Sequence, residues 1–156
     1  MSQSVPAADP LIQSRPAWKP KVLLVDDDLS VRQSLGLALQ SEHFQVVTAS
    51  NGQEALEKYF EGYVDLVLLD LNLPSQNGWD TFERLSALNP YLTIVLVTER
   101  LNPRELAVVS GASAIMEKPL NVPLLIQAMN RLAGESLEGR LQRIAAHQPI
   151  LLTSEI

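Results

Sequence analysis

Short apolar runs recur along this chain, and helical segments fill the gaps between them. The runs are VLLV from residue 22, FQVVTA from 44, VDLVLL from 64, LTIVLV from 92 and SAIM from 113. A short continuous apolar run marks a strand buried on both faces, which is how strands of a covered parallel sheet read. Between the runs, apolar residues fall at helical spacing, as at Val31, Leu35 and Leu39, joined by Leu37 and Ala38. Cap signals bound these segments. Ser50 or Asn51 opens one helix and Gly62 closes it; Asn89-Pro90 stops the next. Asn102, Pro103 and Glu105 open a further short helix, with Gly111 past its end. VPLLIQAMNRLAG supplies the last helix of the core. Five strands alternating with five helices, without a hairpin signal, predict an α/β fold with a doubly wound five-stranded parallel sheet.

Composition limits what such a fold can do. With 156 residues, 46% of them hydrophobic, the chain supports one well-buried core. A net charge of −6 argues against direct binding to nucleic acid or to an anionic membrane. No apolar stretch reaches the roughly 18 residues of a membrane span, so a cytoplasmic protein without membrane insertion is expected. The absence of cysteine excludes disulfides and thiol chemistry. Residues 1–20, with four prolines and no periodicity, predict a disordered or loosely docked arm with Trp18 as its anchor. Residues 21–133 form the globular unit. Residues 134–156 predict a helical extension through Leu137, Leu141, Ile144 and Ala145, too short for an output domain. Its apolar end, PILL, requires cover from the domain or a partner.

In parallel α/β sheets, ligands bind beyond the carboxyl ends of the strands. Strand one ends in Asp26-Asp27-Asp28, strand three in Asp70 and strand four in Thr98, and Lys118 follows strand five. Carboxylates without His or Cys make a hard-oxygen site suited to Mg²⁺. Asp70 is then either a third ligand or a nucleophile, because a carboxylate can attack a phosphoryl group and form an acyl phosphate. That product needs positive charge beside it, which Mg²⁺ and Lys118 supply, and Thr98 can donate to a phosphoryl oxygen.

VLLVDDDLSVRQSL, VDLVLLDLNLPSQNGWD, TIVLVT and GASAIMEKPL together resemble the receiver domain of bacterial two-component response regulators. The resemblance covers about residues 20–133. It implies a flavodoxin-like (βα)5 fold with strand order 2-1-3-4-5. It also implies Asp70 as phosphoacceptor, served by a sensor histidine kinase, a phosphotransfer protein or a small phosphodonor. By the same resemblance Asp27 binds Mg²⁺ directly, Asp26 binds it through water, and Asp70 and the backbone carbonyl of Asn72 complete the site. Thr98 is the switch hydroxyl, Lys118 contacts the phosphate, and a cis bond precedes Pro119. Such a protein is no enzyme beyond its own phosphorylation and dephosphorylation. It signals by contact with a protein target, and it can form a homodimer. Two residues depart from the family pattern and bear on readout: Ile115 stands where many receivers carry Tyr or Phe, and Glu99 stands where a small residue is common. The segment 98–118 is also short, leaving its helix about two turns.

Rival readings exist. VLLVDDDLS also fits the D-x-D signature of haloacid dehalogenase-type phosphotransferases, with Asp26 as nucleophile and Asp28 as acid/base. That reading finds no late acidic pair and leaves the Asp70 loop unexplained. A receiver-like binding module that works without phosphorylation is motivated by Glu99 and Ile115. An FMN binder would need a hydroxyl- and glycine-rich loop where three aspartates stand. Asp28 itself suits a helix N-cap, Pro74 and Gly78 shape the loop after Asp70, and His43 and His147 fall on the solvent side.

Overall fold

A computed structural model of the chain describes residues 19–101 and 111–153. The expected N-terminal arm through Trp18 and the expected helix over residues 102–110 lie outside the described residues. Within them run β1 (Lys21–Val25), α1 (Leu29–Ser41), β2 (Gln45–Ala49), α2 (Gly52–Glu61) and β3 (Leu66–Asp70). A 3-10 turn (Pro74–Gln76), α3 (Asn77–Leu88), β4 (Thr93–Thr98) and β5 (Ala114–Glu117) follow. α4 (Val122–Ala133), α5 (Leu137–Ala146) and β6 (Ile150–Leu152) complete the order. All strand pairs are parallel, in the order β2-β1-β3-β4-β5-β6.

Alternation along each strand splits the core into two layers. Val22, Leu24, Leu66, Leu68, Val95 and Val97 face α1 and α4, meeting Leu35, Leu39, Leu125 and Met129. Leu23, Val25, Val67, Leu69, Ile94 and Leu96 face α2 and α3, meeting Ala55, Phe82 and Leu85. This is the doubly wound arrangement the apolar runs predict, and it buries every residue of β3 and β4. Burying one such leucine contributes about 1.5–3 kcal/mol, so these strands anchor the loops at their ends.

The sheet has six strands where the sequence predicts five. β6 joins the outer edge of β5 with Ile150 opposite Ala114 and Leu152 opposite Met116. The Ile150 N–H also donates to the Ser113 carbonyl at 3.0 Å. An open strand edge presents unpaired backbone groups, and the apolar tail satisfies those of β5 while sinking Leu152 into the first core layer. The extension is therefore a helix plus a strand. It is held by Glu135, whose two carboxylate oxygens accept from Arg143 at 3.0 and 2.8 Å.

Local chemistry explains most boundaries. Asn51 Oδ1 accepts from Glu54 N–H, while Glu54 accepts from the Ser50 N–H and hydroxyl, a reciprocal cap at the start of α2. These bonds hold the Glu54 carboxyl below its usual range. Gly62 closes α2 with extended backbone (φ −170), so no left-handed turn is needed there. Leu37, one of the apolar residues counted toward the helical spacing of α1, is 68% exposed. Leu35 and Leu39 already point inward, and Leu37 sits on the other side of the helix.

Candidate functional site

Three backbone hydrogen bonds extend the sheet one residue past its strands and set the site. Asp26 N–H donates to Ala49 O at 3.1 Å, Leu71 N–H to Val97 O at 2.8 Å, and Lys118 N–H to Thr98 O at 2.8 Å. They bring the ends of β1, β3, β4 and β5 to one edge. One carboxylate oxygen from each of Asp26, Asp27 and Asp70 falls within 4.8 Å of the others. Asp26 and Asp70 are buried and Asp27 is exposed. Lys118 Nζ lies 3.0 Å from Asp70 Oδ2, and the Asn72 N–H donates to Asp70 Oδ1 at 2.8 Å. Both oxygens of Asp70 are thus partnered. The bond between Lys118 and Pro119 is cis, as expected.

The electrostatics single out Asp26. Burial, opposed by a hydrogen bond from the Asp28 N–H and reinforced by the Asp70 charge, pushes its carboxyl up to about 6. Three carboxylates with one ammonium leave an excess of negative charge in a partly desolvated pocket. A hard divalent cation fits this donor set, since oxygen ligands and compact charge are what Mg²⁺ selects.

Asp28 is set apart from the cluster. Its carboxylate caps α1, accepting from the Ser30 hydroxyl at 2.7 Å and from the Ser30 and Val31 N–H groups. The Ser30 hydroxyl and these backbone donors hold it below the usual carboxylate range. An acid committed to a cap and kept ionised is a poor proton donor, which removes the acid/base needed by the dehalogenase-type reading.

Around this centre the other expected residues divide. Thr98 is buried at the end of β4, and its hydroxyl donates to Arg100 O at 3.4 Å. Glu99 is exposed, and its N–H donates to Asn72 Oδ1 at 2.6 Å. Ile115 is buried on β5 in the second core layer, beneath the loops rather than among the polar groups. His43 and His147 are both exposed, with positive φ, just past α1 and α5.

Three side-chain contacts, made by Arg32, Asn72 and Glu117, were not legible in the motifs. Arg32 reaches back from α1 to donate to Asp26 O at 2.7 Å. Its only sequence signal is its place one turn after the Asp28 cap. The Asn72 side chain holds the loop after β4, and Glu117 accepts from Leu101 N–H at 3.0 Å. Gly78 lets the start of α3 lie against the Leu71 backbone, where a Cβ would collide. Ser75, with φ of 59, completes the tight path from Asp70 to α3.

The model of the response regulator receiver domain matches residues 22–130. The chain belongs to the response regulator receiver family. Among curated relatives, the Haemophilus influenzae CpxR homolog, a transcriptional regulatory protein, is 39% identical over 103 residues. That match covers 65% of this chain and 44% of the relative. The transcriptional regulatory protein GlrR of Escherichia coli is 30% identical over 137 residues, covering 84% of this chain and 31% of GlrR. The chain thus spans less than half the length of these curated relatives. Among solved structures, TrrA of Thermotoga maritima, determined with Mg²⁺ and BeF, superposes with a TM-score of 0.67 at 31% identity. The match covers 72% of this chain and 98% of TrrA. CheY4 of Vibrio cholerae gives 0.67 at 28%, covering 74% and 99%. Among the described residues, no helix of the receiver is long and apolar enough to cross a membrane.

Proposed function

We propose that this receiver accepts a phosphoryl group on Asp70 and passes the change on by protein contact. The observation that carries the reading is Asp70 itself, buried, 3.0 Å from the Lys118 ammonium and grouped with two further carboxylates. A free oxygen lone pair of Asp70 attacks phosphorus in a phosphohistidine or a small acyl phosphate. The bond from phosphorus to its donor breaks, and the donor leaves with the electron pair. Lys118 offsets charge on the product, and the Asn72 N–H keeps the carboxylate aligned. Asp26, Asp27, Asp70 and the Asn72 carbonyl would hold Mg²⁺, which when bound neutralises charge on the transferring oxygens. Thr98 would turn its hydroxyl from Arg100 O toward the phosphoryl group. A histidine kinase or phosphotransfer protein in the cytoplasm supplies the group, and a protein target reads the result.

The test is intact-protein mass spectrometry after incubation with acetyl phosphate. The expected result is one added phosphoryl group that requires Mg²⁺ and is absent from Asp70→Asn. No mass gain in wild type under any Mg²⁺ concentration would favour a module that works without phosphorylation.

A further inference from the structure

All three tyrosines of the chain line a single groove, and it lies at the opposite end of the sheet from Asp70. The groove, of about 270 Å³, sits where β3 and β4 begin, and Tyr59, Phe60, Tyr63, Tyr91 and Arg140 line it. A five-residue strand separates the two ends by roughly 17 Å. Phe60, Tyr63 and Tyr91 are 67%, 77% and 53% exposed. α5 continues this surface: it has no fully buried residue, and Leu137 and Leu141, also exposed, flank Arg140. Single exposed apolar residues are ordinary, but a clustered aromatic and leucine surface marks a contact site. Tyrosine and arginine are the residues that most often carry binding energy in such sites.

Arg140 tells what the occupant carries. Two guanidinium groups compete for Glu135, and Arg143 takes both of its oxygens. Arg140 Nε is left 3.9 Å from Glu135 Oε1, buried and without a hydrogen-bond partner. Asp65 and Asn89 also line the groove; Asp65 accepts from Lys21 N–H at 2.7 Å, and Asn89 is bonded to the Tyr59 hydroxyl and the Tyr91 N–H. The wall of the groove therefore holds a guanidinium that is only loosely paired with Glu135 and whose Nε has no hydrogen-bond partner.

We propose that this groove docks an acidic, apolar segment of another protein, which buries a large side chain against the tyrosines and sets a carboxylate on Arg140. A second copy is the poorer fit. A two-fold contact centred on the groove would turn Arg140 toward Arg140 and set like charges face to face. The proposal stands apart from phosphoryl acceptance at Asp70.

Two labelled amphipathic 12-residue peptides test it, sharing one Leu/Phe stripe and differing only in Glu or Lys at the polar positions. Fluorescence anisotropy with the full chain at physiological salt should show the Glu peptide binding at least tenfold tighter. Arg140→Gln should erase that preference. Tyr63→Ala should weaken the Glu peptide about tenfold while leaving the acetyl phosphate mass gain unchanged. Equal binding of both peptides, or a preference that survives Arg140→Gln, overturns the proposal. So does a concentration-dependent dimer in sedimentation that Tyr63→Ala disperses, which would give the groove to a second copy. Binding of the Glu peptide only to Trp18→Ala would instead give it to the chain's own first residues, and would equally overturn it.

Discussion

The Glu117 carboxylate accepts the Leu101 N–H at 3.0 Å, tying the residue before Lys118 to the loop that follows Thr98. On its other side the same loop is held by Asn72, two residues past Asp70, through the Glu99 N–H at 2.6 Å. The loop is thus suspended between the two segments that carry the acceptor and the lysine. Any turn of Thr98 toward Asp70 works against both ties.

Removing either tie should free its own amide. Each bond is worth about 0.5–1.5 kcal/mol net, more where the acceptor is charged. Native-state hydrogen exchange should therefore speed about tenfold at Leu101 in Glu117→Ala and at Glu99 in Asn72→Ala. Glu117→Gln keeps an acceptor and should exchange nearly as wild type. Unchanged exchange at Leu101 in Glu117→Ala would mean that the tie carries no energy.

Readout should concentrate in that loop. Ile115 is 1% exposed, β-branched and packed in the second core layer, so it has neither room nor a polar group with which to swing. Thr98 has a hydroxyl bonded only at 3.4 Å, which a phosphoryl oxygen can outcompete. Beryllofluoride with Mg²⁺ should alter hydrogen exchange most from Thr98 onward, with little change over 114–117. The opposite pattern would make β5 the moving part.

The buried acid at Asp26 predicts a pH dependence. Its folded-state value of about 6 lies above the ordinary 3.8, so between these values the folded protein binds more protons than the unfolded. Stability of the metal-free protein should then fall as pH rises from about 4 to 6 and stay lower beyond. Asp26→Asn keeps the acceptor for Asp28 N–H and removes the ionised form, so it should stabilise the metal-free protein at pH 7 by about 1–3 kcal/mol. Urea titrations at pH 4.5 and 7 measure the difference, which should shrink to about a third at the lower pH. Mg²⁺ affinity, competing with the same proton, should weaken below pH 6.

Docking of the extension depends on one side chain at each end. Leu152→Ala leaves a cavity in the first core layer and should cost about 2–5 kcal/mol. Arg143→Ala leaves Glu135 with Arg140 at 3.9 Å and should expose the segment between α4 and β6 to proteolysis. Cleavage no faster than in wild type would show that β6 holds without the ion pair.

What could be read from sequence follows its physical length scale. The β3 run and the aspartates at strand ends are legible because burial on both faces forces continuous apolar segments, and topology gathers their ends. The Asp28 cap is legible because its partners lie two and three residues away. β6 is not, because three residues carry no period and its strand identity comes from an edge 36 residues earlier. Asn72 to Glu99 and Glu117 to Leu101 span 27 and 16 residues, and no local pattern announces either bond. The exposure of Leu37 was hidden for another reason. An apolar stripe names its members only once the helix is rotated against the sheet, and Leu35 and Leu39 decide that rotation.

Borohydride trapping tests the central assignment most directly. Reduction of an aspartyl phosphate leaves homoserine at the residue that carried it, and peptide mass spectrometry reads the position. After treatment with acetyl phosphate and Mg²⁺, the expected product is homoserine at position 70 alone, absent when Mg²⁺ is withheld and absent from Asp70→Asn. Homoserine at position 26, with Asp70 intact, would contradict the account and make Asp26 the nucleophile.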